Sequence, residues 1–147
     1  MIMNSPTLRQ KILFKHCDPA GIVFYPRYFE MINDCVEHFF SSTLEYPFEE
    51  MNGRWCVPAA SIQTEFKAPS FHGDILDLFL EVRDVGRTSV KFKCSALCKD
   101  QPRFSAELSL VHASSGVKPT KWPSAVREKL LEQLSQNGAP SMHIRTS

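Results

Sequence analysis

The chain has 147 residues, of which 43% are hydrophobic, and a formal net charge of +1 at pH 7. This length and composition predict a single domain with a packed core. The near-neutral charge argues against a nucleic-acid-binding surface, and no apolar run approaches the roughly 20 residues that span a bilayer.

A turn with one carboxylate, Asp18, follows a strand that is predicted over residues 8–15. Pro19 and Gly21 are residue types typical of tight turns, and Pro26 suits the first turn of a helix. Asp18 is therefore expected close to a helix N-terminus, where free backbone N–H groups attract an anion or a polarised oxygen. A carboxylate beside such a donor is suited to acyl chemistry.

The helix is predicted from Tyr25 to about Phe40, and its apolar face is broad enough to suit burial beneath a sheet. Segments in which polar and apolar residues alternate predict four strands near 61–66, 76–82, 90–98 and 104–112, joined by hairpin turns at 84–87 and 99–102. This order predicts an α+β fold with an antiparallel sheet that is covered on one face. A short helical turn is predicted near residues 48–51 and a final helix near Pro123, with residues 1–135 as the domain and 136–147 as a flexible tail.

The run Asp-Pro-Ala-Gly-Ile-Val-Phe-Tyr-Pro at residues 18–26 resembles the signature of the 4-hydroxybenzoyl-CoA thioesterase family, a branch of the hotdog-fold acyl-CoA thioesterases. The resemblance extends more loosely through residues 68–74, 86–90 and 119–123. It implies a hotdog fold, in which the sheet curls around the long helix. It also implies hydrolysis of an aromatic or a short- to medium-chain acyl-CoA to the free acid and coenzyme A.

The resemblance also implies how the protein works and assembles. Coenzyme A is part of the substrate, so no cofactor and no metal is expected. Homodimers or homotetramers are expected, with active sites at the subunit interfaces and no nucleic-acid partner. Five cysteines without a CxxC spacing are read as free thiols in a reducing cytoplasm, which is the expected location.

The family resemblance assigns roles to residues around the Asp18 turn. Asp18 would act either as a nucleophile or as a general base, and the sequence does not decide between them. The backbone N–H of Tyr25 would polarise the thioester carbonyl, and Gly21 would let the backbone approach the acyl group. Asn33 stands where members specific for 4-hydroxybenzoyl carry an aspartate that binds the substrate hydroxyl; an amide can hydrogen-bond but supplies no charge, so the resemblance implies the broader acyl-CoA thioesterase activity rather than this narrow specificity.

Other candidates lie farther from the signature. His16 stands where the family pattern has an aspartate; it is read as an auxiliary base, a substrate contact or, preferably, a half-exposed histidine at a strand end. Arg87, Thr88 and Ser89 follow a predicted turn that the resemblance places near the coenzyme A nucleotide, where a guanidinium suits a phosphate. His112 shares an apolar strand face and is predicted to be a core or interface histidine.

Three other functions remain open. A hotdog-fold dehydratase or hydratase would use a catalytic histidine, yet no histidine here sits in a matching motif. A non-catalytic module that binds acyl-CoA or acyl-carrier protein would not need Asp18. An interaction protein with vestigial activity is the third.

Overall fold

The computed structural model describes residues 5–138. In chain order its elements are β1 (Leu8–Lys11), α1 (Pro26–Ser42), β2 (Trp55–Cys56), β3 (Ala59–Phe66), β4 (Ile75–Val85), β5 (Ser89–Cys98), β6 (Gln101–Val111), β7 (Ala113–Ser114), β8 (Lys118–Pro119) and α2 (Ser124–Gly138). Single turns of 3-10 helix lie at Phe14–His16 and Phe48–Glu50.

The main sheet has five antiparallel strands in the order β1-β4-β5-β6-β3. Two hairpins, β4–β5 and β5–β6, form its centre, as the alternating segments predict. The short strands β2, β7 and β8 form a second, three-stranded sheet. Strand β1 and strand β3 are the two edges of the main sheet.

Helix α1 packs its apolar face against the inner face of the main sheet. The buried residues of the helix follow the predicted spacing: Tyr28, Met31, Ile32, Cys35, Val36, Phe39 and Phe40. Alternate residues of β4, β5 and β6 are buried beneath them, while the intervening residues are partly or fully exposed, except for the buried Arg103 of β6. Because full burial of one such side chain contributes about 1.5–3 kcal/mol, this layer is the main source of stability.

The edge strand β3 is an exception to this burial. Ile62 and Phe66 pair with the buried Leu108 and Phe104 and so point to the helix side, yet they are 42% and 51% exposed. Helix α1 does not cover this edge. We refer to the partly exposed strip between α1 and the helix side of β3 as the groove between α1 and β3. The far side of β3 has no strand partner within residues 5–138.

The predicted end of the first strand is wrong. The first strand ends at Lys11. Ile12 N–H still donates to Asp74 O, just before β4, but the next amide turns away, because Leu13 N–H donates to His16 Nδ1. Helix α2 extends to Gly138, so the first residues of the predicted tail are helical. Residues 139–147 lie outside the described range, and the division into domain and tail remains a prediction.

His112 is a fully paired core histidine, as predicted, and is only 1% exposed. Its Nδ1 lies 3.0 Å from Thr120 O, which can only accept, so the proton is on Nδ1. Its Nε2 then accepts from the hydroxyl of Tyr46 at 2.8 Å. The ring is held between Trp55 and Trp122, which pack here rather than beside Asp18.

Replacing Tyr46 by Phe should destabilise the fold. The variant removes the donor and leaves a buried acceptor of His112 unpaired, which costs about 1–3 kcal/mol. Urea unfolding would measure the loss. Tyr25→Phe is the matched control, because the 59% exposed Tyr25 side chain has no hydrogen-bond partner among the described residues and should change stability little. Equal stability of the two variants would contradict the assignment.

Candidate functional site

The turn at Asp18 is built by its own backbone. Asp18 N–H donates to Ile22 O and Gly21 N–H donates to Asp18 O, each at 2.9 Å. Gly21 has a φ of 85°, a backbone conformation that favours glycine. The conformation alone explains the glycine, since a Cβ at this position would meet nothing within 4 Å. Asp18 Oδ1 accepts from Ala20 N–H at 2.8 Å, whereas Oδ2 has no partner within residues 5–138. One carboxylate oxygen of this half-buried residue is therefore available.

Tyr25 lies at the start of α1, where the chain leaves the turn. Its carbonyl accepts from Tyr28 N–H, and the amide of Phe24 donates to His16 O. The amide of Tyr25 has no acceptor in the described part of the chain. Pro26 follows and has no N–H, so the Tyr25 amide is the free donor at this helix end.

His16 is not the half-exposed strand-end residue that the sequence suggests. It ends a 3-10 turn, is 6% exposed and accepts from Leu13 N–H through Nδ1 at 2.8 Å. Burial lowers the pKa of His16, and so do the positive charges of Lys15 and Arg27. The negative charges of Glu30 and Asp34 raise it, but by less. The neutral ring thus carries its proton on Nε2, and Nδ1 is already occupied.

A loop over residues 67–74 flanks the Asp18 turn. Val23 N–H donates to Ser70 O at 2.9 Å, and Ile22 forms an antiparallel bridge with Phe71. The loop is held by Arg103, whose Nη1 lies 2.7 Å from Asp74 Oδ2. Burial opposes ionisation of Asp74, but hydrogen bonds from Arg103 and Phe71 N–H and the positive charge of Arg103 outweigh it, so the pKa of Asp74 is lowered.

The groove between α1 and β3 begins at the Tyr25 end of the helix. The ring of Phe66 lies 6.1 Å from Tyr25, 5.8 Å from Tyr28 and 6.5 Å from Phe29, measured between centroids. Thr64, on the same side of β3, has a buried Oγ1 without a hydrogen-bond partner in the described structure. The period-2 pattern of β3 could have identified Thr64 and Phe66 as helix-facing, but it gave no sign that the ring of Phe66 is left half-exposed.

Asn33 is exposed on α1, one turn beyond Phe29. Residues four apart share a helix face, so Asn33 lies beside the groove, whereas Asp34 is rotated by about 100°. Asn33 has no hydrogen bond within the described residues. The structure thus places Asn33 on the same side of the helix as the aromatic contacts of Phe66.

The structure does not bring Arg87, Thr88 and Ser89 to Asp18. These residues form the predicted β4–β5 hairpin, where Gly86 N–H donates to Ser89 O and Arg87 is exposed. The hairpin lies at one end of β5, and the Asp18 turn lies at the other, beside the start of β4. A 10-residue strand separates the two by about 30 Å within one chain.

Within residues 5–138, no group of three or more His, Cys, Asp or Glu side chains could hold a metal ion. The helices of the described range are too short or too polar to cross a membrane. All five cysteines are free thiols.

Comparison with known proteins places this geometry in a family. The family model of the thioesterase-like superfamily matches residues 12–130. The 4-hydroxybenzoyl-CoA thioesterase of Pseudomonas sp. (strain CBS-3) is 27% identical over 89 residues. The match covers 58% of this chain and 63% of that protein, so this chain spans less than two thirds of the relative's length.

Solved structures share the architecture. The structure of a gentisyl-coenzyme A thioesterase has 25% sequence identity and a TM-score of 0.77, over 82% of this chain and 98% of its own. A 1,4-dihydroxy-2-naphthoyl-CoA thioesterase from Synechocystis has 17% identity and a TM-score of 0.78, over 85% and 94%. The predicted hotdog fold, with its antiparallel sheet around a long helix, is confirmed.

Asp74 should make stability depend on pH. Its lowered pKa means that the ionised form stabilises the fold above the unfolded-state value of about 3.9, and that this contribution is lost as the pH falls through the folded-state pKa. We expect Asp74→Asn to be less stable than the wild type at pH 6, with a difference that shrinks as the pH falls through the lowered pKa of Asp74. Denaturant unfolding between pH 2 and 7 would measure this.

The control for this experiment is Asp77→Asn. Asp77 pairs with Arg9, a side chain that is 64% exposed, so solvent screens the pair and its loss should change stability little. A difference between the wild type and Asp74→Asn that stays constant down to pH 2 would contradict the role of the Asp74 charge.

Proposed function

The chain belongs to the thioesterase-like superfamily, and we propose that it hydrolyses the thioester bond of an aromatic or a short- to medium-chain acyl-CoA. The products are the free acid and coenzyme A. One observation supports this most: Asp18 keeps a free carboxylate oxygen in the turn that leads to the free N–H of Tyr25. A base or nucleophile and an oxyanion donor are the two parts that acyl transfer to water needs.

Two routes fit this arrangement. As a nucleophile, Asp18 attacks the thioester carbonyl and forms a mixed anhydride while the coenzyme A thiolate leaves; water then hydrolyses the anhydride. As a general base, Asp18 takes a proton from a water molecule that attacks the carbonyl directly. In either route the Tyr25 N–H and the N-terminal dipole of α1 stabilise the negative charge that develops on the carbonyl oxygen.

The groove between α1 and β3 is the proposed acyl site. Its walls carry the rings of Phe29 and Phe66, which suit an apolar or aromatic acyl tail. Asn33 lies beside it and can donate or accept a hydrogen bond without adding charge. We therefore expect neutral acyl groups to be accepted without a strict demand for a para-hydroxyl.

Assembly is the second part of the proposal. Strand β3 exposes an unpaired edge and apolar side chains, which a second copy of the chain can cover by pairing along that edge. Arg87 is too far from Asp18 to serve the same site within one chain. If Arg87 holds a nucleotide phosphate, it acts at the site of another subunit, in a homodimer or a homotetramer.

Replacement of Asp18 by Asn should lower turnover by on the order of 10²–10⁴-fold while the fold is retained. The amide cannot serve as nucleophile or base. Release of free coenzyme A from a panel that includes benzoyl-CoA and 4-hydroxybenzoyl-CoA would measure it. Asp100→Asn, in the exposed turn between β5 and β6, is the control and should leave turnover unchanged. Near-wild-type turnover by folded Asp18→Asn would exclude the mechanism.

Mixing subunits tests the assembly. Asp18→Asn and Arg87→Ala chains, refolded together in equal amounts, should regain about a quarter of the wild-type sites, because each site needs Asp18 from one chain and Arg87 from another. Coenzyme A release at a low substrate concentration would report the recovery. Activity of the mixture equal to the mean of the two separate variants would contradict shared sites.

A further inference from the structure

We infer that Arg103 is a positioning residue, which holds the Asp18 turn in register with the first turn of α1 through Ser70. The inference rests on the proposed function for its catalytic consequence. Arg103 lies near the start of β6 and does not touch Asp18 or Tyr25 among the described contacts. Its effect would pass through the loop at residues 67–74.

Arg103 is only 8% exposed and is well supplied with acceptors. Its Nη1 donates to Asp74 Oδ2 at 2.7 Å and lies 3.1 Å from both Pro69 O and Ser70 Oγ. Its Nε donates to Gln101 Oε1 at 2.8 Å. Because a buried cation is costly unless it is paired, these acceptors fix the guanidinium in one place.

The backbone of Arg103 holds the same loop. Its carbonyl accepts from Lys67 N–H at 2.8 Å and from Ala68 N–H at 3.3 Å. The side chain of Arg103 therefore hydrogen-bonds the middle and end of the loop, and its backbone carbonyl hydrogen-bonds the beginning. A loop with no regular strand pairing over its length depends on such contacts to keep one conformation.

Ser70 is the junction between the loop and the two parts of the site. It is fully buried, and its hydroxyl lies against Arg103 while its carbonyl accepts from Val23 N–H at 2.9 Å. Tyr28 also lies beside this junction: its ring centroid is 4.9 Å from that of Phe104, the residue after Arg103. Burial raises the pKa of Tyr28, and hydrogen bonding to Ser70 opposes that rise. Val23 belongs to the Asp18 turn, and Tyr28 belongs to the first turns of α1.

This arrangement links the carboxylate to the oxyanion donor. The free oxygen of Asp18 and the free N–H of Tyr25 act together only if their separation is fixed, and a misplacement of about 1 Å can cost 10²-fold in rate. A purely structural ion pair would hold two elements of the core together. Arg103 instead donates to the loop at residues 67–74, which bonds to the chain between those two groups.

The test uses Arg103→Lys, which keeps the charge that faces Asp74 but loses the planar fork. We expect kcat for acyl-CoA hydrolysis to fall by about 10- to 100-fold, with KM changed by less than about threefold. Hydrogen–deuterium exchange should be faster at the amides of Val23 and Phe24. Phe92→Leu, a buried change in the middle of β5, is the control; it should lower Tm without altering kcat or the exchange at those amides.

Two further readouts keep the inference decidable. If Arg103→Lys does not fold, Ser70→Ala removes only the hydroxyl acceptor and should lower kcat in the same direction, by a smaller factor. A lowered Tm with unchanged kcat and unchanged exchange, in whichever variant folds, overturns the inference. If the wild type releases no coenzyme A from any substrate, the proposed function fails, and the exchange data alone decide the inference. Faster exchange at Val23 and Phe24 in the variant than in the wild type then supports a positioning role for Arg103. Unchanged exchange overturns that role.

Discussion

The packing of α1 against the inner face of the sheet is the constraint on which the rest of the structure depends. The helix has one broad apolar face, and its burial fixes the direction in which the first turn, with its free Tyr25 amide, points. The chain just before the helix must then cross the end of the sheet, where the Asp18 turn lies beside the loop at residues 67–74. Placement of the helix therefore puts the Tyr25 amide at the same end of the sheet as the Asp18 turn.

The two ends of the sheet differ in how completely their polar groups are hydrogen-bonded. At the end with the β4–β5 hairpin, both ring nitrogens of His112 are hydrogen-bonded, and two tryptophans enclose the ring. At the Asp18 end, a carboxylate oxygen, the Tyr25 amide and the hydroxyl of Thr64 lack partners among the described residues. Buried or constrained polar groups are normally paired, and exceptions gather at functional sites. The contrast agrees with the proposed position of the site.

Much of the fold could be predicted because its signals are local. The alternation in β4, β5 and β6 and the apolar face of α1 are readable from neighbouring residues, and the signature around Asp18 identifies the family. The burial of His16 was missed because residues 14–16 form a 3-10 turn where the pattern predicted a strand. The network of Arg103 could not be predicted, since Pro69, Ser70 and Asp74 lie far from it in sequence. The exposure of β3 was also hidden, because its alternation is the same whether or not the helix covers it.

The uncovered edge and the site have one physical origin. Helix α1 is too narrow to cover five strands, since a helix with side chains is about 10–12 Å wide and strands are spaced about 4.8 Å apart. The last strand, β3, must remain open on its helix side, and the rings of Phe66 and Phe29 meet across the resulting groove. A second copy of the chain that covers the edge would also close the groove over a bound acyl group. Association and binding of the acyl tail are then not separate properties, because both bury the same apolar surface that the helix leaves exposed.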